Sequence, residues 1–158
     1  MEPIYVSNDT ELEQAVSRCA DSSVIALDTE FARFNTYYPM VGLVQIATQQ
    51  HCFLIDPLAI SNLAPLAELL SRSDLLKVVH AGSEDMEVFH YTLGITPAPV
   101  FDTQIAAAAL GVGFSMSYQR LVAHYLSIDV PKEETRSDWL RRPLTASQLQ
   151  YAALDVVY

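Results

Sequence analysis

VIALDTEF, residues 24–31, decides the fold reading. Its first four residues are aliphatic, as in a short strand of a buried sheet, and the strand then runs directly into acids. Asp28 and Glu30 are two positions apart, so on a strand both side chains leave the same face. Two ionised carboxylates held together repel one another and resist burial. The pair therefore calls for a cation, a shared proton or open solvent.

Working outward, LVQIAT (43–48) and HCFLID (51–56) read as two further strands forming a hairpin, and a short strand around Ile4–Val6 precedes a capped helix in SNDTELEQAVSRCA. That helix carries Leu12, Val16 and Cys19 at helical spacing. LAPLAELLSRS reads as a helix, LLKVVHA (75–81) as a buried strand, and SEDMEVFHYTLG as a helix stopped at Gly94. VFDT gives a short strand. QIAAAALG and YQRLVAHYL give two helices, and TASQLQYAALDVVY a last one with Thr145 as its N-cap. The order β-α-β-β-β-α-β-α-β-α-α-α predicts one α/β domain with a mixed central sheet flanked by helices.

The chain has 158 residues, enough to bury roughly 70% of the surface its unfolded form exposes. Cys19 and Cys52 lie far apart, with no Cys/His cluster to suggest zinc or a disulfide framework. A reduced, cytoplasmic setting is the expectation. The N-terminus lacks signal-peptide character, and no apolar run approaches the ~18 residues of a membrane span. Phosphate-loop, dinucleotide, serine-hydrolase and zinc-protease motifs are missing from the sequence, so no small-molecule organic cofactor is expected.

Net charge is −10, and residues 131–158 balance to zero, so the acidic excess lies in residues 1–130. Such a balance argues against simple electrostatic binding of nucleic acid. Two further places put carboxylates in apolar settings. VVHAGSEDMEVF runs a strand into a helix whose first turn carries Glu84, Asp85 and Glu87, where the helix dipole alone would favour acids. YAALDVVY (151–158) sets Tyr151 and Asp155 on one helical face, four positions apart. If Asp155 were a surface residue instead, Ala153, Leu154 and Val157 would be the residues turned inward. Four acids in three apolar segments suit hard divalent cations such as magnesium. Two ions ~3.5–4 Å apart clamp the attacking and leaving oxygens of a phosphoryl displacement, and they reverse the sign of an acidic site toward an anionic substrate.

DTEF, VVHAGSEDMEVF and YAALDVVY resemble the three motifs of the DEDD superfamily of 3′→5′ exonucleases in its tyrosine-containing form. TYYPMVGLVQIA and KEETRSDWLRRPL resemble more specifically the bacterial ribonuclease D family, and the likeness spans nearly the whole chain. The resemblance implies a ribonuclease H-like exonuclease fold. It also implies that Asp28, Glu30, Asp85 and Asp155 are metal ligands for two cations, Mg²⁺ or Mn²⁺, with Asp85 acting through water. Tyr151 matches the tyrosine that orients the attacking water; a phenol is protonated at neutral pH, which suits positioning better than base catalysis. The implied activity is 3′→5′ exoribonucleolytic trimming of RNA 3′ ends, such as tRNA precursors, with release of nucleoside 5′-monophosphates. A DNA exonuclease of the same superfamily and a noncatalytic binding module are the alternatives. Thr29, Phe34, Gln45, His80, Lys132 and Arg136 are candidate substrate contacts. Tyr37 and Tyr38 share the stacking character of Phe34, with core or loop packing at least equally open for each; Arg141 and Arg142 share the phosphate-binding character of Lys132 and Arg136, with a solvated charged loop as the default for each. Gln45 either faces the site or faces solvent, and His80 is expected to make a structural hydrogen bond. The resemblance also implies more helix and C-terminal helical HRDC domains beyond Tyr158, so the chain reads as cut there.

Overall fold

The computed structural model describes residues 1–34, 36–131 and 137–158. Its elements are β1 (Pro3–Val6), α1 (Asp9–Cys19), β2 (Val24–Ala32), β3 (Met40–Ala47), β4 (Cys52–Ile55), α2 (Ala64–Ser71), β5 (Leu76–Val79), α3 (Ser83–Leu93), β6 (Val100–Asp102), α4 (Thr103–Ala109), α5 (Tyr118–Leu126) and α6 (Ala146–Val157). The order is the predicted one. The strands form one mixed sheet, β1-β4-β3-β2-β5-β6, antiparallel across β4-β3-β2 and parallel at its other joins.

Strand alternation sorts the side chains into two layers. Ile25, Leu27, Val44, Ile46, Phe53 and Ile55 share one core with Leu12, Leu66, Leu70, Val88 and Phe89 from α1, α2 and α3. Leu43, Ala47, Cys52 and Leu54 share the other with Trp139 and with Ala152, Ala153 and Val156 of α6. Each fully buried Leu, Ile or Phe is worth about 1.5–3 kcal/mol. The larger first core therefore supplies most of the apolar stabilisation.

β3 begins at Met40, three residues before the strand expected from sequence; its pairing with β2 continues past a bulge in which Gly42 of β3 is the extra residue between the Glu30–Leu43 and Phe31–Val41 pairs. Gly42 has no side chain for a reason: a Cβ there would lie 2.6 Å from the Trp139 carbonyl. The segment before α6 thus lies directly on β3. Arg142 locks it there, with Nε and Nη2 donating to the two Asp56 carboxylate oxygens at 2.6 and 2.7 Å, Nη2 also to Gly42 O at 2.6 Å, and Nη1 to Trp139 O at 2.8 Å. The Tyr5 hydroxyl donates to the same carboxylate at 2.5 Å. Arg142 is therefore occupied by Asp56 and is not the free phosphate contact that the sequence left open.

Candidate active site

Three elements meet at the acids. β2 sends Asp28 and Glu30 to the face covered by α6, and α6 returns Asp155 to them. Carboxylate oxygens of Asp28, Glu30 and Asp155 lie within 4.8 Å of one another. Thr145 caps α6: its hydroxyl accepts from Gln148 N at 3.1 Å while Gln148 Oε1 accepts from Thr145 N at 2.8 Å. The Gln148 amide then donates to Ser137 Oγ at 2.8 Å and to Asp138 O at 3.2 Å, joining the cap to the docked segment. Ala152, Ala153 and Val156 are the inward residues of α6. Of the residues expected inward for a surface Asp155, Ala153 is buried and Val157 is partly buried against the same cluster, while the fully inward positions are completed by Ala152 and Val156 rather than Leu154.

Asp85 arrives from the opposite side of the sheet. Gly82 starts α3 against β5, where a Cβ would fall 2.6 Å from Val79 Cγ2. The preceding turn includes Ala81 at φ +56, and the Asp102 carboxylate accepts from Ala81 N and Gly82 N at 3.1 and 3.0 Å. The buried Asp85 then accepts a short hydrogen bond from the Thr29 hydroxyl. Its charge acts on Asp28 and Glu30, but Asp85 stands outside the close triple. Thr29, also buried, commits its hydroxyl to Asp85.

Burial first, and then the charges of Asp85, Asp155 and Glu30, push the Asp28 carboxyl well above the usual carboxylate range. Burial, with Asp155 and Asp85 nearby, raises Glu30 to about 9. Burial raises Asp155 to about 7 against a lowering hydrogen bond from Tyr151. Burial likewise raises Asp85, opposed by the Thr29 hydroxyl. Without a cation, burial and mutual repulsion drive these carboxyls toward protonation. Closely set carboxylate oxygens are also the donors that hard divalent ions take, so the residues fit such an ion.

Beside the acids lies a cavity of about 210 Å³ lined by Asp28, His80, Thr103, Tyr118, Tyr151 and Asp155, among others. His80 is held at both ring nitrogens, Nε2 by the Met116 carbonyl and Nδ1 by the Thr103 hydroxyl, each at 2.9 Å. Burial lowers its pKa. The structural hydrogen bond expected of His80 is present. The Tyr118 hydroxyl donates to Leu154 O at 2.9 Å and pins α5 to α6. Trp139 packs near the Tyr151 ring, centroids 6.2 Å apart.

Of the remaining candidates, Phe34 is 78% exposed at the tip after β2. Tyr38 packs in a tilted ring contact on Tyr91, centroids 4.1 Å apart, a partner in α3 that no local sequence pattern announces. Gln45 is 0% exposed and lies across the ladder from Asp28, so it faces the site's side of the sheet and not solvent. Lys132 and Arg136 lie outside the described residues. The Asp56–Arg142 pair, separated by 86 positions, escaped sequence reading because nothing local links its members.

Comparison with known proteins follows the same lines. Residues 3–158 match the 3′-5′ exonuclease family. Ribonuclease D of Pseudomonas paraeruginosa is 50% identical over 152 residues, 96% of this chain but 40% of that one. The chain spans about two fifths of the length of the curated relatives it matches. Escherichia coli RNase D, described as an exoribonuclease involved in structured RNA processing, superposes with a TM-score of 0.96 at 43% identity, over 99% of this chain and 42% of that one. The catalytic core of RRP6 from Trypanosoma brucei does so at 0.91 and 28% identity, over 98% of this chain and 43% of that one. The architecture is the ribonuclease H-like exonuclease fold, and the chain belongs to the 3′-5′ exonuclease family.

Proposed function

We propose that this domain is the catalytic unit of a 3′→5′ exoribonuclease that trims RNA 3′ ends, tRNA precursors among them, and releases nucleoside 5′-monophosphates with the help of two divalent cations, Mg²⁺ or Mn²⁺. The observation that carries the reading is the convergence of Asp28, Glu30 and Asp155 within 4.8 Å, with Tyr151 hydrogen-bonded to Asp155. The relatives named ribonuclease D support RNA as the substrate. No helix of the described residues is long and apolar enough to cross a membrane, and the free thiols of Cys19 and Cys52 agree with a cytoplasmic setting.

Asp28, Glu30 and Asp155 would hold the cations, with Asp85 contributing its charge from behind Thr29. Bound there, divalent cations lower the pKa of the attacking water and neutralise charge on the scissile phosphate. Tyr151 contributes a hydroxyl, fixed through Asp155, that orients the water. The water oxygen bonds to the terminal phosphorus, the bond to the preceding O3′ breaks, and the proton lost by water is balanced by protonation of that O3′. His80, held on both nitrogens, keeps the cavity wall in place and takes no proton. Phe34 and Tyr37 offer exposed rings for stacking upstream bases, with Tyr38 held beside them by Tyr91. Lys132 and Arg136 are proposed to meet phosphates.

End-labelled RNA and DNA oligomers, with and without Mg²⁺ or Mn²⁺, test the reading. Stepwise, metal-dependent shortening of RNA from its 3′ end is expected. Preference for DNA would move the domain to the DNA-directed members of its superfamily. Binding without cleavage at any metal concentration would make it a binding module.

A further inference from the structure

Gln45 lies on β3 directly across the antiparallel ladder from Asp28. Residues paired in this way send their side chains to one face, with Cβ atoms about 4.5–5.5 Å apart. The side chain is 0% exposed, and neither its Oε1 nor its Nε2 has a hydrogen-bond partner. Leu43 and Ala47 flank it on the same strand face, and Leu54 stands opposite on β4. A methionine or leucine would occupy this place without burying two unpaired polar atoms. Folding alone does not account for the amide.

The polar side chain directly across the ladder from it is Asp28. To hold a cation its carboxylate must be ionised, and an ionised carboxylate has room for about four hydrogen bonds. The backbone at Thr29 supplies hydrogen bonding to it, which leaves acceptor capacity open. A side chain fixed by a second partner holds a metal more tightly than one free to turn.

We propose that Gln45 is a positioning residue for Asp28: its Nε2 amide donates to the ionised Asp28 carboxylate and fixes the orientation in which that carboxylate holds a divalent cation. The proposal rests on the metal-dependent reading above. It assigns Gln45 a role behind the site. The indole Nε1 of Trp139, in the same apolar cluster, is also unpartnered, so a buried water shared by Gln45 and Trp139 is the competing use of the amide.

The two uses differ in sign. Gln45→Met keeps length and removes the amide; Gln45→Leu is a second shape should the first pack poorly. Thermal unfolding without metal and calorimetric titration with Mn²⁺ are run on both variants and the parent. The positioning role predicts an unfolding midpoint equal to or above the parent's, together with Mn²⁺ affinity about 10- to 100-fold weaker, as for loss of a hydrogen bond to a charged group. Unchanged Mn²⁺ affinity in both variants overturns the proposal, and so does a midpoint that falls in both, which assigns the amide to a structural water. If the parent chain itself binds no Mn²⁺, it is the metal-dependent reading that fails, and that result is distinct.

Discussion

On the face of the sheet beneath α1, α2 and α3, the strands present Ile25, Leu27, Ile46 and Phe53 to a continuous apolar core. On the face beneath α6, the same strands present Asp28, Glu30 and Gln45 between Leu43, Ala47 and Leu54. Among the described residues the apolar face leaves no buried side-chain polar atom without a hydrogen-bond partner, and the one site acid it holds, Asp85, is paired with Thr29 although burial raises its carboxyl too. The acidic face does not match this in the absence of a cation: its carboxyls are driven toward protonation, and its glutamine has no partner. One side of each strand thus stabilises the fold, while the other gives up stability to hold a reactive arrangement. Substitutions on the two faces should therefore separate stability from activity.

The largest expected effect is a double dissociation. Asp28→Asn keeps the size of the side chain and removes the charge. Turnover should fall by about 10³-fold or more, since metal charge stabilisation is worth several kcal/mol, while the metal-free midpoint holds or rises. Phe53→Ala on the other face should cost about 3–5 kcal/mol of stability, with activity per folded molecule retained. An active Asp28→Asn protein would break the comparison outright.

Next comes pH. Asp155 rises from 3.8 to about 7 and Glu30 from 4.5 to about 9 on folding, so in these windows the folded state binds more protons than the unfolded one. Stability of the metal-free protein should then fall as pH rises from about 4 toward 9, by up to about 4 kcal/mol for Asp155 alone. Asp56 and Asp102 are held below the usual carboxylate range, and their contribution disappears only as pH drops below about 4. Urea unfolding in the presence of a chelator at pH 5 and pH 8.5 measures the difference. A flat profile would mean that the acids are better solvated than their burial implies. Saturating Mn²⁺ should reduce the slope.

Tyr151→Phe divides the acidic face itself. Loss of the hydroxyl should lower turnover by about 10²-fold, as for positioned acid–base groups, with Mn²⁺ affinity barely changed. A loss of affinity as large as that of Asp155→Asn would make the tyrosine a support of the ligand rather than of the water.

The same contrast explains what the sequence could disclose. Element order, the α6 cap at Thr145 and the shared face of Asp28 and Glu30 follow from local periodicity and spacing, which a chain displays directly. The burial of Gln45 was only half legible. VGLVQIA is nearly continuously apolar, the mark of a strand covered on both faces, yet its single polar residue invites a solvent-facing reading. Trp139 over Gly42 and Arg142 on Asp56 join distant segments, and no local pattern pairs them. Asp85 matches its motif, but its place behind Thr29 depends on a turn braced by Asp102, which only the folded chain brings together.

The smallest expected effect is the most discriminating, because it makes one chemical change on both faces. Asn8 caps α1 by accepting from Glu11 N at 3.0 Å, and Thr145 caps α6 by accepting from Gln148 N at 3.1 Å. Replacing either cap by alanine should cost about 1 kcal/mol of global stability. The local consequences differ. α1 packs on the apolar face and carries none of the acids, so Asn8→Ala should leave Mn²⁺ affinity and turnover at their parent values. α6 carries Tyr151 and Asp155, and its capping glutamine also fastens Ser137 and Asp138. Thr145→Ala should therefore loosen the start of α6 and weaken Mn²⁺ binding a few-fold for the same loss of stability. Amide hydrogen exchange would place that loosening in the first turns of α6. If the two variants shift metal affinity equally, the effect travels through global stability, and the division of labour between the faces is weaker than their chemistry suggests.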